Sequence, residues 1–190
     1  MTDPLVRDLE QKSCAELLAL FQTLKAPQLS ELHGEYRARL LTQVNPLMQR
    51  VGLGTLNNPI LGRWQCKAFR PVDAESGRGY NGFSRGGRFV QRYPMATLVA
   101  PSRYDGQPAY MLVYRAFHSA CGSIHMVDEI RRLDDTHYLG IGTCGFTERQ
   151  RRRPLPFMLS GPVGEYRGDI GRERSHFAPQ QEIPALAGTS

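Results

Sequence analysis

Residues 110–145 read YMLVYRAFHSACGSIHMVDEIRRLDDTHYLGIGTCG, three apolar runs parted by short polar breaks. In the second run Ile124, Met126, Asp128 and Ile130 fall on one side of an extended chain, and Ser123, His125, Val127, Glu129 and Arg131 on the other. Strand side chains alternate between faces, so the aliphatic set marks a buried wall. The third run, Tyr138-Leu139-Gly140-Ile141-Gly142-Thr143, sets glycine against Leu139, Ile141 and Thr143. With a turn at Asp134-Asp135-Thr136, the stretch predicts antiparallel strands at 109–117, 123–132 and 137–144.

The same period extends outward. Gly34-Glu35-Tyr36-Arg37-Ala38-Arg39-Leu40 alternates, and Gly62-Arg63-Trp64-Gln65-Cys66-Lys67-Ala68-Phe69 repeats its Gly-x-aromatic-x-small-basic pattern. Residues 88–93 and 95–103 read as strands bent at Pro94. Tyr104-Asp105-Gly106-Gln107 is an Asp-Gly hairpin turn. The glycines of 71–87, together with Arg78 and Arg85, predict a long mobile loop. Residues 43–60 read as loop with a short helix at 46–51; Phe157-Met158-Leu159 is a last apolar piece, followed by a strand near 164–169. At the other end, Ser13 and Glu16 have capping-box spacing, and Leu17, Leu20, Phe21 and Leu24 predict an amphipathic helix over 14–25, a lid or buttress that Pro27 ends. The sum is about eight strands after one helix: a mainly β protein, an antiparallel β-barrel over 34–169, with a polar flexible tail at 171–190. Eight strands enclose an interior that side chains fill or that holds one small ligand.

Composition narrows the partners. A chain of 190 residues, 41% hydrophobic and 22% charged, reads as one globular domain over 1–190. No apolar run reaches the roughly 18–20 residues a spanning helix needs, so no membrane span is expected. The N-terminus carries Asp3, Asp8 and Glu10 and no apolar signal segment, which makes a cytoplasmic location the expectation. Cys14, Cys66, Cys121 and Cys144 are scattered without a C-x-x-C pair, which argues against a zinc ribbon or a thioredoxin-like motif and for reduced thiols. The net charge of +6 is carried mostly by arginine, since Lys12, Lys25 and Lys67 are the only lysines. Arginine forks suit carboxylates and phosphates, so the balance admits an anionic ligand, an anionic surface or nucleic acid.

The two Gly-x-aromatic strand starts resemble the glycine-x-tryptophan signature of lipocalin-like barrels. A nearer resemblance is to the bacterial GXWXG/DUF4334 proteins. Gly34-Glu35-Tyr36-Arg37-Ala38 stands where that family has G-x-W-x-G, and Trp64-Gln65-Cys66-Lys67-Ala68-Phe69 is similar to its W-x-G-K-x-F. Met126-Val127-Asp128-Glu129-Ile130-Arg131 and Leu139-Gly140 match its later strands. Tyr36, Ala38 and Cys66 replace the family's Trp and two glycines. The resemblance spans residues 30–145 and implies a lipocalin-like, calycin-type fold without an activity to transfer.

Chemistry concentrates near Asp128. An acid on an aliphatic face is held protonated by burial unless a cation such as Arg115 lies beside it, and it is either a general acid/base, a ligand anchor or a structural hydrogen-bonding group. His118-x-x-Cys121-x-x-x-His125 has spacing that metal ligands or an activated thiol could use, yet it matches no familiar site, and neither metal nor cofactor is expected. The glycine face of 138–145 could be a floor for a ligand or a consequence of curvature. Arg149-Gln150-Arg151-Arg152-Arg153, closed by prolines, reads as a non-helical loop, either solvated or an anion-attracting lip at the barrel mouth with Arg78, Arg85 and Arg88. Aromatics flank that run without interleaving it, so nucleic acid is not the expected partner.

The leading expectation is a barrel that holds a small apolar or aromatic ligand, anionic in one form, lined by Tyr36, Trp64, Tyr114, Arg115, Met126, Asp128 and Tyr138. The alternative is an enzyme on the same scaffold (an isomerase, cyclase or hydrolase), with Asp128, His125 and Glu129 moving protons. A third reading is a nucleic-acid-binding module using the arginine run. Sequence leaves the oligomeric state open.

Overall fold

Strand alternation closes on itself here. The computed structural model describes residues 3–188. It contains β1 (Gly34–Leu40), β2 (Asn57–Asn58), β3 (Gly62–Pro71), β4 (Gly77–Arg85), β5 (Arg88–Pro101), β6 (Pro108–Val113), β7 (Val127–Arg132), β8 (His137–Thr143) and β9 (Leu155–Gly164). From β3 onward each strand pairs antiparallel with the next; β9 pairs with β1, and β1 pairs with β3. β2 only fringes β3, so eight strands make a closed up-and-down barrel. Closure removes both sheet edges.

The register sets which residues meet inside. Leu112 pairs with Asp128, Asp128 with Gly142, Tyr36 with Lys67, and Lys67 with Asn81. One apolar layer fills the interior, with Leu32, Tyr36, Phe69, Tyr110, Ile130 and Leu159 buried. A second lies outside it. There Leu9, Leu17 and Phe21 from the N-terminal helices cover Met111, Leu139 and Ile141. Burying each such side chain contributes roughly 1.5–3 kcal/mol.

Two helices make that cover. α1 (Pro4–Gln11) starts with Asp3 accepting the Leu5 N–H at 2.9 Å and with proline in the first turn; sequence reading had not foreseen it. α2 (Cys14–Thr23) has the expected capping box between Ser13 and Glu16. Arg131 anchors the end of α2: buried on the outer face, it donates to both Asp105 oxygens at 2.7 Å and to Phe21 O at 3.0 Å, beneath the Phe21 ring. α3 (Pro46–Leu56) spans the connection from β1 to β2, five residues longer than the 46–51 expected.

Several segments depart from expectation. Residues 71–87 are a turn and a full strand, because their glycines admit close neighbours. A Cβ on Gly79 would lie 2.4 Å from Ala68 O, and one on Gly82 2.4 Å from Cys66 Sγ. β5 runs unbroken through Pro94; the register shift opposite Gly79–Asn81 and Tyr93 at φ 51° absorb the bend as a bulge. β6 ends at Val113 and β7 begins at Val127, with a 3-10 turn at Tyr114–Ala116 and the short α4 (Ala120–Ser123) between them. The arginine run is partly helical: α5 (Glu148–Arg151) is capped by Thr147 and Gln150. β9 ends at Gly164, and no separate strand follows over 165–169. The segment expected to be a free tail packs on the barrel instead, with Glu182 and Ile183 buried and Phe117 bridged to Glu173.

Alternating connections divide the barrel into two ends. Residues 24–33 close one, with Leu29 and Leu32 buried and Lys25 bridged to Arg132. The connections 41–61, 86–87, 114–126 and 144–154 surround the other, called the mouth below.

Candidate functional site

β7 turns Asp128 inward, as its alternation with Val127 and Glu129 predicts. The cation beside it is Lys67, not Arg115. A register shift between Trp64 and Cys66 inserts one extra residue in β3, so the phase slips and Trp64 and Lys67 both face the interior. Lys67 Nζ then donates to Asp128 Oδ2 at 2.8 Å, Tyr114 Oη at 2.6 Å and Asn81 Oδ1 at 3.0 Å. Tyr114 donates to the same Asp128 oxygen at 3.0 Å, while Asn81 Nδ2 donates to Tyr114 at 3.1 Å. Trp64 Nε1 completes the network on Asn81 Oδ1 at 3.1 Å. Lys67 and Asp128 side chains are each only 4% exposed. An ion pair this buried needs such a complete set of partners, because each lost bond leaves a charge dehydrated.

The walls around it are aromatic. The Lys67 ammonium lies 5.0 Å from the Phe157 ring centroid, 5.3 Å from Tyr114 and 5.4 Å from Trp64, which adds cation–π attraction. Trp64 is half-buried and is the chain's single tryptophan. The glycine face of β8 is floor for the chain's own groups. A Cβ on Gly140 would lie 2.1 Å from the Phe157 ring, and one on Gly142 2.9 Å from Asp128 Oδ1. Burial, with Asp128 adding to it, holds the Tyr114 phenol well above its ordinary range. Burial also pushes the Cys121 thiol up to about 12, so it is a poor thiolate nucleophile.

The remaining expected residues divide between two faces. Tyr36 and Tyr138 are interior and meet edge to face at 5.6 Å, with the Tyr36 hydroxyl donating to Glu31 O at 3.4 Å. Met126 packs on the interior cluster. His125, Glu129 and Arg115 belong to the outside, so the expected Asp128–His125–Glu129 constellation is split by the wall. His125 Nδ1 lies 2.7 Å from Glu182 Oε1, and Arg115 Nη1 3.3 Å from that same oxygen. Glu129 accepts the Arg103 N–H at 3.1 Å; burial raises its carboxyl, and its Oε2 is buried without a partner. His118, Cys121 and His125 have separate surroundings: His118 lines a surface groove with Arg174, whereas Cys121 packs on the interior. Arg78 is no part of a mouth lip, being paired on the outer face with Asp169 and Glu173. Lys67 and Asn81 were missed. Two signals marked Lys67: it stands at the lysine of the W-x-G-K-x-F motif, and it is one of only three lysines in the chain.

No protein-family model matches the chain, and no curated protein sequence does. Among solved structures, a protein from Thermomonospora curvata superposes with a TM-score of 0.54 at 13% identity, over 82% of this chain and 92% of that one. That likeness bears on the fold alone, and it agrees with the closed next-neighbour strand order: an eight-stranded antiparallel β-barrel. Weaker likenesses are a bovine odorant-binding protein complexed with its natural ligand (TM-score 0.39, 18% identity, 72% of this chain and 76% of that one) and the odorant-binding protein OBP1 (TM-score 0.40, 13% identity, 85% of each).

Proposed function

We propose that this barrel binds a small molecule with an apolar or aromatic body and one polar, preferentially anionic, group. The observation that carries the reading is the convergence of Lys67, Tyr114, Asn81 and Asp128 inside an otherwise apolar interior rich in aromatics, beneath the half-buried Trp64. Lys67 and Tyr114 offer donors to an anionic or carbonyl oxygen; the Trp64 and Phe157 rings offer a face to an apolar body. A ligand entering past Trp64 exchanges one of the internal hydrogen bonds for its own. Membership in the GXWXG/DUF4334 family and a cytoplasmic location stand as parts of this proposal, supported by the strand motifs and by the four free thiols respectively.

Titration with the probe N-phenyl-1-naphthylamine tests it. Binding quenches Trp64 by energy transfer and enhances the probe; anionic aromatic and fatty acids displace it, and Lys67→Met weakens displacement by the acids more than by matched alcohols. Absence of probe enhancement up to its solubility limit removes the reading.

A second reading keeps a specific basis: a tyrosine hydroxyl and an ammonium sharing one carboxylate oxygen is an arrangement that acid/base catalysis uses. Under it Asp128 works with Tyr114 and Lys67 in place of His125 and Glu129. Asp128→Asn then abolishes turnover while retaining affinity, whereas for a binding protein only affinity changes.

A further inference from the structure

The two ends of the barrel differ in surface chemistry. Ten large apolar side chains are exposed among the described residues, and seven of them belong to the mouth connections. Leu47 is 69% exposed, Ile60 74% and Phe146 68%; Val51, Leu53 and Ile124 accompany them. α3 carries three of the seven and buries none of its residues. Leu47 and Val51, four apart, share one helical face, with Arg50 beside them. Around this apolar tip stand Arg50, Arg85, Arg88, Arg149, Arg152 and Arg153, all exposed, while Glu148 is the single carboxylate in the four connections. The turns at the opposite end instead hold Asp73, Glu75, Asp105, Asp134 and Asp135. Charge and exposed apolar area are thus segregated to the same end.

We propose that the mouth docks on an anionic lipid surface. Apolar side chains on a helix in the plane of the bilayer interface enter the acyl boundary, and arginines with long stems around it meet phosphates. Neither part suffices alone: a cationic rim without apolar residues favours any polyanion, and an apolar tip without cations has no preference for anionic lipid. An apolar patch rimmed by cations is complementary to a bilayer in both respects. The placement also turns the mouth end of β3, where Trp64 is half-buried, toward the lipid, although docking does not depend on ligand binding.

Co-sedimentation of the full chain with phosphatidylcholine vesicles, with and without phosphatidylglycerol, tests this at low and physiological salt. The expected result is binding to the phosphatidylglycerol vesicles alone, weakened by salt. Arg149→Gln/Arg152→Gln/Arg153→Gln weakens it on the order of a hundredfold, and Leu47→Asp/Val51→Asp by more than about tenfold. All five side chains are exposed, and unchanged circular dichroism and melting confirm that the variants fold. Equal binding to both vesicle types, no binding at low salt, or vesicle binding unchanged in Leu47→Asp/Val51→Asp overturns the proposal. So does a concentration-dependent dimer, seen by sedimentation velocity, that Leu47→Asp abolishes without any vesicle binding by the native chain. Binding to single-stranded DNA in place of vesicles likewise overturns it.

Discussion

Lys67→Met removes the ammonium from the interior while keeping a side chain of similar length. Three hydrogen bonds disappear, to Asp128 at 2.8 Å, Tyr114 at 2.6 Å and Asn81 at 3.0 Å. Asn81 retains Trp64 as donor, and Asp128 Oδ2 retains the Tyr114 hydroxyl. What remains is a carboxylate 4% exposed without its counter-charge. Breaking one side of such a pair costs about 3–5 kcal/mol, and methionine packing against the aromatic walls offsets part of that. The expected loss is about 3 kcal/mol, which lowers the urea midpoint by on the order of 1–2 M for a typical denaturant slope. Lys67→Met/Asp128→Val, which discards both charges, recovers most of the loss, so the double-mutant cycle shows a coupling of roughly 2–4 kcal/mol. Trp64 emission and far-UV circular dichroism both follow the transition. A single-mutant loss below about 1 kcal/mol, or two single losses that simply add, refutes the account of the cluster as a tightly coupled buried pair.

Gly140→Ala drives a methyl group into the Phe157 ring, and overpacking of this kind costs about 1–3 kcal/mol in thermal unfolding, with Phe157→Leu as the compensating change. Asp169 is held down at about 2 by hydrogen bonds from Arg70. Its folded value lies below the ordinary 3.8, so its stabilisation is present above that pH and is lost as pH falls toward 2. With both side chains about a third exposed, the component is about 1 kcal/mol after screening; Asp169→Asn should flatten the stability curve over that window. Glu129 shifts the opposite way, raised by burial, so stability declines as pH climbs above the ordinary 4.5. Glu129→Gln gains on the native chain near pH 7 and loses that advantage below pH 4.5, as urea midpoints across pH will show. Ser13→Ala deletes the α2 cap and lowers stability by about 1 kcal/mol in the same assay.

Legibility followed the strength of the alternating pattern. β7 and β8 were readable because one face of each is aliphatic: Val127 and Leu139 joined the outer layer and Ile130 and Tyr138 the inner. Capping chemistry located α2 for the same reason, Ser13 and Glu16 being a local rule fulfilled. Glycine misled. In 71–87 it suggested freedom, whereas the barrel uses Gly79 and Gly82 to admit Ala68 O, Cys66 and Phe89 at close range. The tail misled by polarity, since the contacts that hold it, such as Glu182 with His125 and Arg115, join residues 57 and 67 positions apart. Lys67 was hidden by a bulge. Simple alternation from Trp64 places it outside, and only the unpaired residue between Trp64 and Cys66 reverses that. A bulge has no dependable sequence mark when no glycine accompanies it, so alternation alone could not turn the central cation of the cluster inward, although it stands at the lysine of the W-x-G-K-x-F motif.

Asp128 and Glu129 are adjacent acids with opposite surroundings, and their contrast bears on what the interior cluster is for. Glu129 is outside the wall, beneath Arg103 and a groove of about 400 Å³, with one oxygen lacking a protein partner. Asp128 is inside and bonded to both Lys67 and Tyr114. A barrel gains nothing in stability from an interior ion pair over apolar side chains of the same shape, because dehydration of the charges offsets their attraction. The apolar layer of Tyr36, Phe69, Tyr110 and Leu159 shows that this chain fills its interior with apolar groups elsewhere. Stability therefore does not account for Lys67, Asn81, Tyr114 and Asp128 meeting beneath the mouth. The ligand proposed above, needing donors and an acceptor in a dry aromatic setting, would account for it, and the Lys67→Met/Asp128→Val chain separates the two explanations: it should fold nearly as well as the native chain and bind anionic aromatic acids far less tightly.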